Sequence, residues 1–570
     1  MPSTRIGALI ADQDTKNRQG DPLCANPIWK RMQFDTLISG GTIYDGSGGE
    51  PFEADVGLRS GIIVDIGNLK YADATLRIDA RGLAVAPGFI NMLSHATRAL
   101  LHDGLSESNI CQGVTLEIIG EGVSMGPLND EMVKEMIEEQ TDIKFTVNWR
   151  SLGEFLNRLQ LKGIATNVAS FVGATTVREY VLGQIDKKPD ERELSMMRNL
   201  VSLSMSEGAV GLSSALIYAP ACFADTDELV ALAEEAAKRG GIYASHLRSE
   251  GDNLLEGVRE LMAIARRAKI PSEIYHLKAA GKSNWAKMDE VIAEVEAARL
   301  SGHRVSADMY MYTRAHTALD AAMPTWVQEG GLNQWIKRLQ DPEIRVRVKN
   351  EMNSQSTDWE NGYLHAGPDG ILLVGFKTEA LKPLTGKTLQ QIAQERQKDP
   401  CDVAMDLVVE DGSRVDAVYS WMSEENLQKQ LRVPWITFGS DGSSLSPSGV
   451  YLKSQTHPRA YGNFARLLGK YVRQEKILTL PEAVRRLTAL PAANLGLLFR
   501  GKLDQGHAAD IAIFDPQKIC DRATFENPHQ LAEGMVHVLV NGVPVLQNGK
   551  HTGAKPGLVL RRRMSHRMIC

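Results

Sequence analysis

The stretch 241–278, GIYASHLRSEGDNLLEGVRELMAIARRAKIPSEIYHLK, decides the fold. It opens on an apolar run, Gly241–His246, that ends in an imidazole. An amphipathic segment follows, Leu255–Lys269, with Leu, Val, Ile and Ala at helical spacing and basic residues at its end. A second apolar run, Ser272–His276, again ends in an imidazole. A strand, a helix and a strand in this order pair the two strands in parallel within one sheet.

The same alternation extends in both directions. Candidate strands are Val85–His95, Gly113–Glu121, Ile164–Val172, Ala209–Ser214, Gly241–His246, Ser272–His276, Arg304–Asp308 and Pro434–Asp441, and Thr226–Arg239 is a second well-marked helix. Eight such units predict an α/β chain closed into a (β/α)8 TIM barrel over about 87–497. The segment 309–433, between strands seven and eight, is far longer than an ordinary connection and predicts an inserted, partly helical subdomain over the barrel mouth. Short β-rich runs with Gly turns occupy 33–86 and return in 498–562, so a small β-sandwich domain is expected to form from both chain ends. Residues 1–32 precede the first strand-like run and read as a disordered N-terminal extension.

Of the 570 residues, 43% are hydrophobic and 24% charged, the usage of a globular protein. A net charge of −6 offers no basic surplus for phosphates, which argues against nucleic acid and for a small-molecule partner. The six cysteines, Cys24, Cys111, Cys222, Cys401, Cys520 and Cys570, lack CxxC pairs, so reduced thiols in a cytoplasmic setting are expected. No secretory apolar stretch occupies the first thirty residues, and no span of roughly 20 apolar residues predicts a membrane segment. Self-association into a homo-oligomer stays open.

Polar residues stop the strands. His246, His276, Asp308 and Asp441 end strands five to eight, and in a barrel those ends meet in one mouth. Imidazole and carboxylate ligate Zn²⁺ and similar ions, and a catalytic site needs about three protein ligands plus an open position. A lone histidine at a strand end is ordinarily a hydrogen-bonding residue. Two on neighbouring strands, each followed two positions on by a basic residue (Arg248, Lys278), favour a metal. Asp441, in Gly-Ser-Asp-Gly, reads as a catalytic group or an N-cap, and Asp308 as a participant or an orienting residue. Glu121 ends an apolar strand, where a carboxylate is costly without a cation; a metal or a buried Arg would serve, and a metal is favoured. Arg459, in His-Pro-Arg, offers a fork suited to a substrate carboxylate, or is a solvated surface residue.

Ala-Pro-Gly-Phe-Ile (86–90), Gln-Gly-Val-Thr (112–115), Gly-Leu-Ser-Ser-Ala-Leu-Ile-Tyr (211–218), His-Leu-Arg-Ser-Glu-Gly (246–251), His-Leu-Lys-Ala-Ala-Gly (276–281), Gly-Ser-Asp-Gly (439–442) and His-Pro-Arg-Ala-Tyr-Gly (457–462) occur in this order. Leu-Pro-Ala-Ala (490–493), Ala-Asp-Ile-Ala-Ile-Phe-Asp (509–515) and Thr-Gly-Ala-Lys-Pro-Gly (552–557) follow. Together they resemble the N-acyl-D-amino-acid deacylase (D-aminoacylase) branch of the amidohydrolase superfamily, from about Phe34 to Arg562. The resemblance implies a metal-dependent hydrolase of the linear amide bond in N-acyl-D-amino acids. It places one tightly bound Zn²⁺ on Glu121, His246 and His276, and the general base on Asp441. It also puts Arg459 on the substrate carboxylate, with Tyr218, Lys278 and Tyr312 lining the pocket.

Two departures stand out. The family's strand-two ligand is a cysteine in Asn-Cys-Gly, whereas this chain has the shorter Gly120-Glu121-Gly122. The superfamily's His-x-His on strand one reads Leu93-Ser94-His95, which predicts a mononuclear site. His95 then either contributes to a metal or only hydrogen-bonds in the mouth. Arg314-Ala315-His316 places bulky groups in the strand-seven loop, where His316 could reshape the pocket. Two other readings remain: a cyclic amide hydrolase of the dihydroorotase or hydantoinase type, and a catalytically silent relative that binds a small molecule.

Overall fold

The computed structural model describes residues 33–355, 358–562 and 568–569; the expected N-terminal extension, 1–32, lies outside them. Eight parallel strands form the barrel: Phe89–Asn91, Val114–Ile119, Asn167–Ser170 continued by Val172–Gly173, Gly211–Ala215, Ile242–His246, Ser272–Ile274, Val305–Met309 and Ile436–Phe438. Strand three is interrupted only at Phe171, whose N–H still donates to Ile119 O at 2.9 Å. Closure runs through strand one against strand eight, with Met92 N donating to Phe438 O at 3.3 Å and Asp441 N to Leu93 O at 2.9 Å. The strands are buried along their length, as expected of a parallel sheet covered on both faces.

The helix after strand five, Leu254–Ala268, buries Leu254, Val258, Leu261, Ile264, Ala265 and Ala268. That i, i+3, i+4 stripe faces the sheet, and each fully buried Leu, Val or Ile in it contributes roughly 1.5–3 kcal/mol. Lys269, with φ of 53°, ends the helix in the left-handed region. The helix after strand four starts at Asp225, whose carboxylate accepts from Glu228 N at 2.8 Å.

Both chain ends share one nine-stranded sheet. Ala84–Pro87 pairs antiparallel with Ile511–Phe514, joining N-terminal strands to C-terminal ones. Ile38, Val56, Ile63 and Val85 pack there with Ile511, Ile513 and Leu539 in one core. Between barrel strands seven and eight, Ala315–Ala318, Ile371–Gly375 and Asp416–Tyr419 form a three-stranded antiparallel sheet with helices around it and a core of its own.

Candidate active site

Strand register brings the two imidazoles together. His246 closes strand five opposite Ala215 of strand four. Strand six ends at Ile274, two residues before the sequence pattern does, because His276 turns into the left-handed region with φ of 34°. Such a conformation costs a non-glycine residue of order 1–3 kcal/mol and is held here by Asp308, whose Oδ1 accepts from His276 N at 3.1 Å. The two rings meet edge to face, centroids 4.4 Å apart.

Glu121 projects from a turn that only glycines allow. Gly120 has φ of 96°, and a Cβ there would lie 2.7 Å from Phe171 O; a Cβ on Gly122 would lie 2.6 Å from Ala215 Cβ. The carboxylate of Glu121 then places Oε1 3.0 Å from His276 Nε2 and 3.4 Å from His246 Nδ1. Its Oε2 lies 3.1 Å from His95 Nε2. His95 Nε2 is in turn 3.0 Å from Asp441 Oδ1, and Asp441 Oδ2 is 2.8 Å from Arg459 Nη1. Two three-residue groups with ligand atoms within 4.8 Å of one another result: Glu121, His246, His276, and His95, Glu121, Asp441.

A carboxylate that the sequence reading passed over stands behind the imidazoles. Glu250 Oε1 accepts from Lys278 Nζ at 2.6 Å and lies 3.0 Å from His276 Nδ1; Oε2 is 3.4 Å from His246 Nε2. Glu250 therefore faces the ring nitrogen of each histidine that Glu121 does not, and Lys278 Nζ, 2.7 Å from His276 Nδ1, shares that side of the ring. The insertion fixes this carboxylate from outside: Glu360 Oε2 accepts from Glu250 N at 2.5 Å and Gly251 N at 3.1 Å. The available signal was its position four residues after His246. Tyr310 was also passed over; its ring lies 4.6 Å from the Arg459 guanidinium carbon and 5.9 Å from Lys278 Nζ.

The charges of the cluster call for a cation. Against burial, which pushes them up, His276 and its neighbours hold the Glu121 carboxyl well below the usual range, and Arg459 and His276 hold Asp441 low. Burial lowers the pKa of His276 and so does Lys278, but Glu250, Asp441 and Glu121 together raise it to about 10. Burial likewise opposes His95, which Asp441 and Glu121 lift to about 9. Carboxylates that draw protons onto neighbouring imidazoles would equally draw a divalent ion. The donor set of two imidazoles and a carboxylate fits zinc-type coordination. One ligand atom from each of Glu121, His246 and His276 lies within 4.8 Å of the others, close enough to share one ion.

The remaining candidates surround this centre. The Tyr218 ring packs against His246 at 5.5 Å, and its Oη is 2.7 Å from Thr317 Oγ1. Arg459 is only 1% exposed, donates Nη2 to His316 O at 3.3 Å, and leaves Nε without a partner. The imidazole of His316 is held down to about pKa 3 by burial and by Arg459. Tyr312 is turned towards Arg466, His457 and Asp521 rather than Glu121. Leu93, buried at 1% exposure, supplies no ligand. Among the described residues no helix is long and apolar enough to cross a membrane, and Cys111, Cys222, Cys401 and Cys520 are free thiols.

The sequence profile of the Amidohydrolase family matches residues 77–546. A D-aminoacylase of Alcaligenes xylosoxydans xylosoxydans is 32% identical over 537 residues, covering 93% of this chain and 98% of that protein. An N-acyl-D-glutamate deacylase of the same organism is 30% identical over 538 residues, covering 94% and 98%. The crystal structure of the Bordetella bronchiseptica N-acyl-D-glutamate deacylase, complexed with zinc and a phosphonate mimic of the tetrahedral intermediate, superposes with a TM-score of 0.77 at 29% identity. It covers 93% of this chain and all of that one.

Proposed function

The chain belongs to the amidohydrolase family, and from that premise we propose that it is a metal-dependent hydrolase of the linear amide bond in N-acyl-D-amino acids. The observation that carries this reading is the meeting of His246, His276 and Glu121 within 3.0–3.4 Å, beside an ionised Asp441. We assign Glu121 Oε1, His246 Nδ1 and His276 Nε2 as the ligands of one tightly held ion, zinc by donor type. When bound, such an ion polarises a carbonyl and lowers the pKa of water towards roughly 7.

The chain's own groups do the rest. Asp441, kept charged by Arg459, accepts the proton of the attacking water and passes it to the leaving nitrogen. His95 holds Oδ1 of that carboxylate in place at 3.0 Å. Arg459 keeps an unused Nε donor with which to bind the substrate carboxylate, and Tyr218 and Lys278 border the acyl amide. Tyr312 and His316 shape the outer wall, and Asp308 sets the backbone of His276. Leu93, which removes the His-x-His of two-metal sites, favours the linear substrate over a cyclic amide. We further assign 33–86 and 498–562 to one β domain and 87–497 to the catalytic barrel with 309–433 inserted, in a cytoplasmic protein.

The test is turnover by zinc-loaded protein of matched N-acetyl-D- and N-acetyl-L-amino acids, with hydantoin and dihydroorotate as ring substrates. Turnover confined to D-amides is the expected result. Ring opening alone would transfer the chain to the cyclic reading. Saturable binding of N-acyl-D-amino acids without turnover would make it the silent relative.

A further inference from the structure

At the opposite end of the barrel, where strands five, six and seven begin, lies a cavity of about 300 Å³. Ser272, Arg299, His303, Arg304 and Asn494 line it. It is large enough for a small organic ligand. Ser272 is 2% exposed and its Oγ has no hydrogen-bond partner; neither has the buried Nδ2 of Asn494. Such groups are costly to bury unpaired, and both residues belong to the cavity wall.

The charged side chains that line the cavity, Arg299 and Arg304, are both basic. Arg562 lies outside the lining but near enough to feel the charge of Arg304; it donates Nη2 to Leu495 O at 2.7 Å and Nη1 to Gly240 O, and leaves Nε unpartnered. Burial and the neighbouring charge of Arg304 hold this guanidinium below its ordinary range. Among the described residues no carboxylate lies within ion-pair distance of Arg299, His303, Arg304 or Arg562. Glu273 and Glu296 act on Arg299 only at longer range, and Glu273 itself is bonded to Ser306 and Thr437. The end of the helix Lys287–Leu300 accounts for Arg299, which sits in its last turn. It does not account for Arg304 and Arg562, which arrive from separate segments and repel one another.

We propose that this cavity is a binding site for a phosphate-type oxyanion, either inorganic phosphate or the phosphate of a small monoester. Guanidinium forks bind such oxygens bidentately, and the hydroxyl of Ser272 and the amide of Asn494 add donors. The ligand is accepted on the N-terminal face of the barrel, remote from the mouth that holds His246 and His276.

The test is calorimetric titration of the full-length, zinc-loaded protein at constant ionic strength. Inorganic phosphate, glycerol 3-phosphate and chloride are the three titrants. Saturable binding of phosphate or of the ester, and none of chloride, is expected; which of the two binds more tightly tells the free ion from the ester. Arg304→Glu, a change at an exposed side chain, should weaken that binding by about tenfold or more while amide hydrolysis stays unchanged. His303→Ala, milder in charge, should weaken it less. Absence of saturable binding up to about 10 mM overturns the proposal. Binding undiminished by Arg304→Glu does so too, since it then resides elsewhere, including the mouth.

Discussion

Replacing Glu250 by Gln keeps the shape of the side chain and removes its charge. In the native protein one carboxylate serves His276 Nδ1 at 3.0 Å, Lys278 Nζ at 2.6 Å and His246 Nε2 at 3.4 Å. Losing such a partner on a single metal-bound histidine typically costs 10–100-fold in metal affinity. Because this carboxylate faces both imidazoles, the upper end applies: about 100-fold, or roughly 2.7 kcal/mol. The substitution also leaves the Lys278 ammonium without its counter-charge, 2.7 Å from His276 Nδ1, where its charge opposes an incoming cation at close range. Adding Lys278→Met should therefore recover part of the loss, with a coupling between the two sites of order 1 kcal/mol or more. The assay is competition for zinc against a chromophoric chelator, with circular dichroism to confirm folding. A zinc affinity within about threefold of wild type for folded Glu250→Gln would refute the role given to this carboxylate.

Asp441→Asn should retain zinc, since Glu121, His246 and His276 are untouched, and lower kcat by roughly 10²–10⁴-fold; near-native turnover would remove Asp441 from proton transfer. Glu273 gives a pH signature. Burial pushes it from 4.5 up to about 7, so the folded chain holds this proton more tightly than the unfolded one. Stability from this group is full below about pH 4.5 and declines by about 3 kcal/mol as pH rises to about 7. Glu273→Gln should therefore gain stability over wild type by about that amount between pH 5 and pH 8, read by urea unfolding; parallel curves would contradict it. Chelator treatment of the native protein should abolish amide hydrolysis, and zinc should restore it, without change in helical content.

The barrel was legible because each strand is buried on both faces and so reads as a continuous apolar run between amphipathic helices. That both chain ends build β structure together was visible in the recurrence of short β-rich runs, whereas its form as one nine-stranded sheet was not. Strand ends were less so: His276 and Asp441, with φ of 34° and 47°, leave the strand direction for tertiary reasons that periodicity does not encode. Glu250 sits in a polar loop, Arg-Ser-Glu-Gly, and its anchor Glu360 comes from the insertion 110 residues later, so no local signal joined them. Tyr310 and Tyr312 differ by one strand period, and only the three-dimensional placement shows that Tyr310 meets Arg459. The pairing of Ala315–Ala318 with Asp416–Tyr419 spans about a hundred residues and is equally silent in sequence.

The most direct measurement is anomalous diffraction at the zinc edge from zinc-soaked crystals. One strong peak is expected, at roughly 2.0–2.2 Å from His246 Nδ1, His276 Nε2 and Glu121 Oε1. A peak bound away from the two imidazoles, or none at saturating zinc, would contradict the assignment of this centre as the seat of hydrolysis.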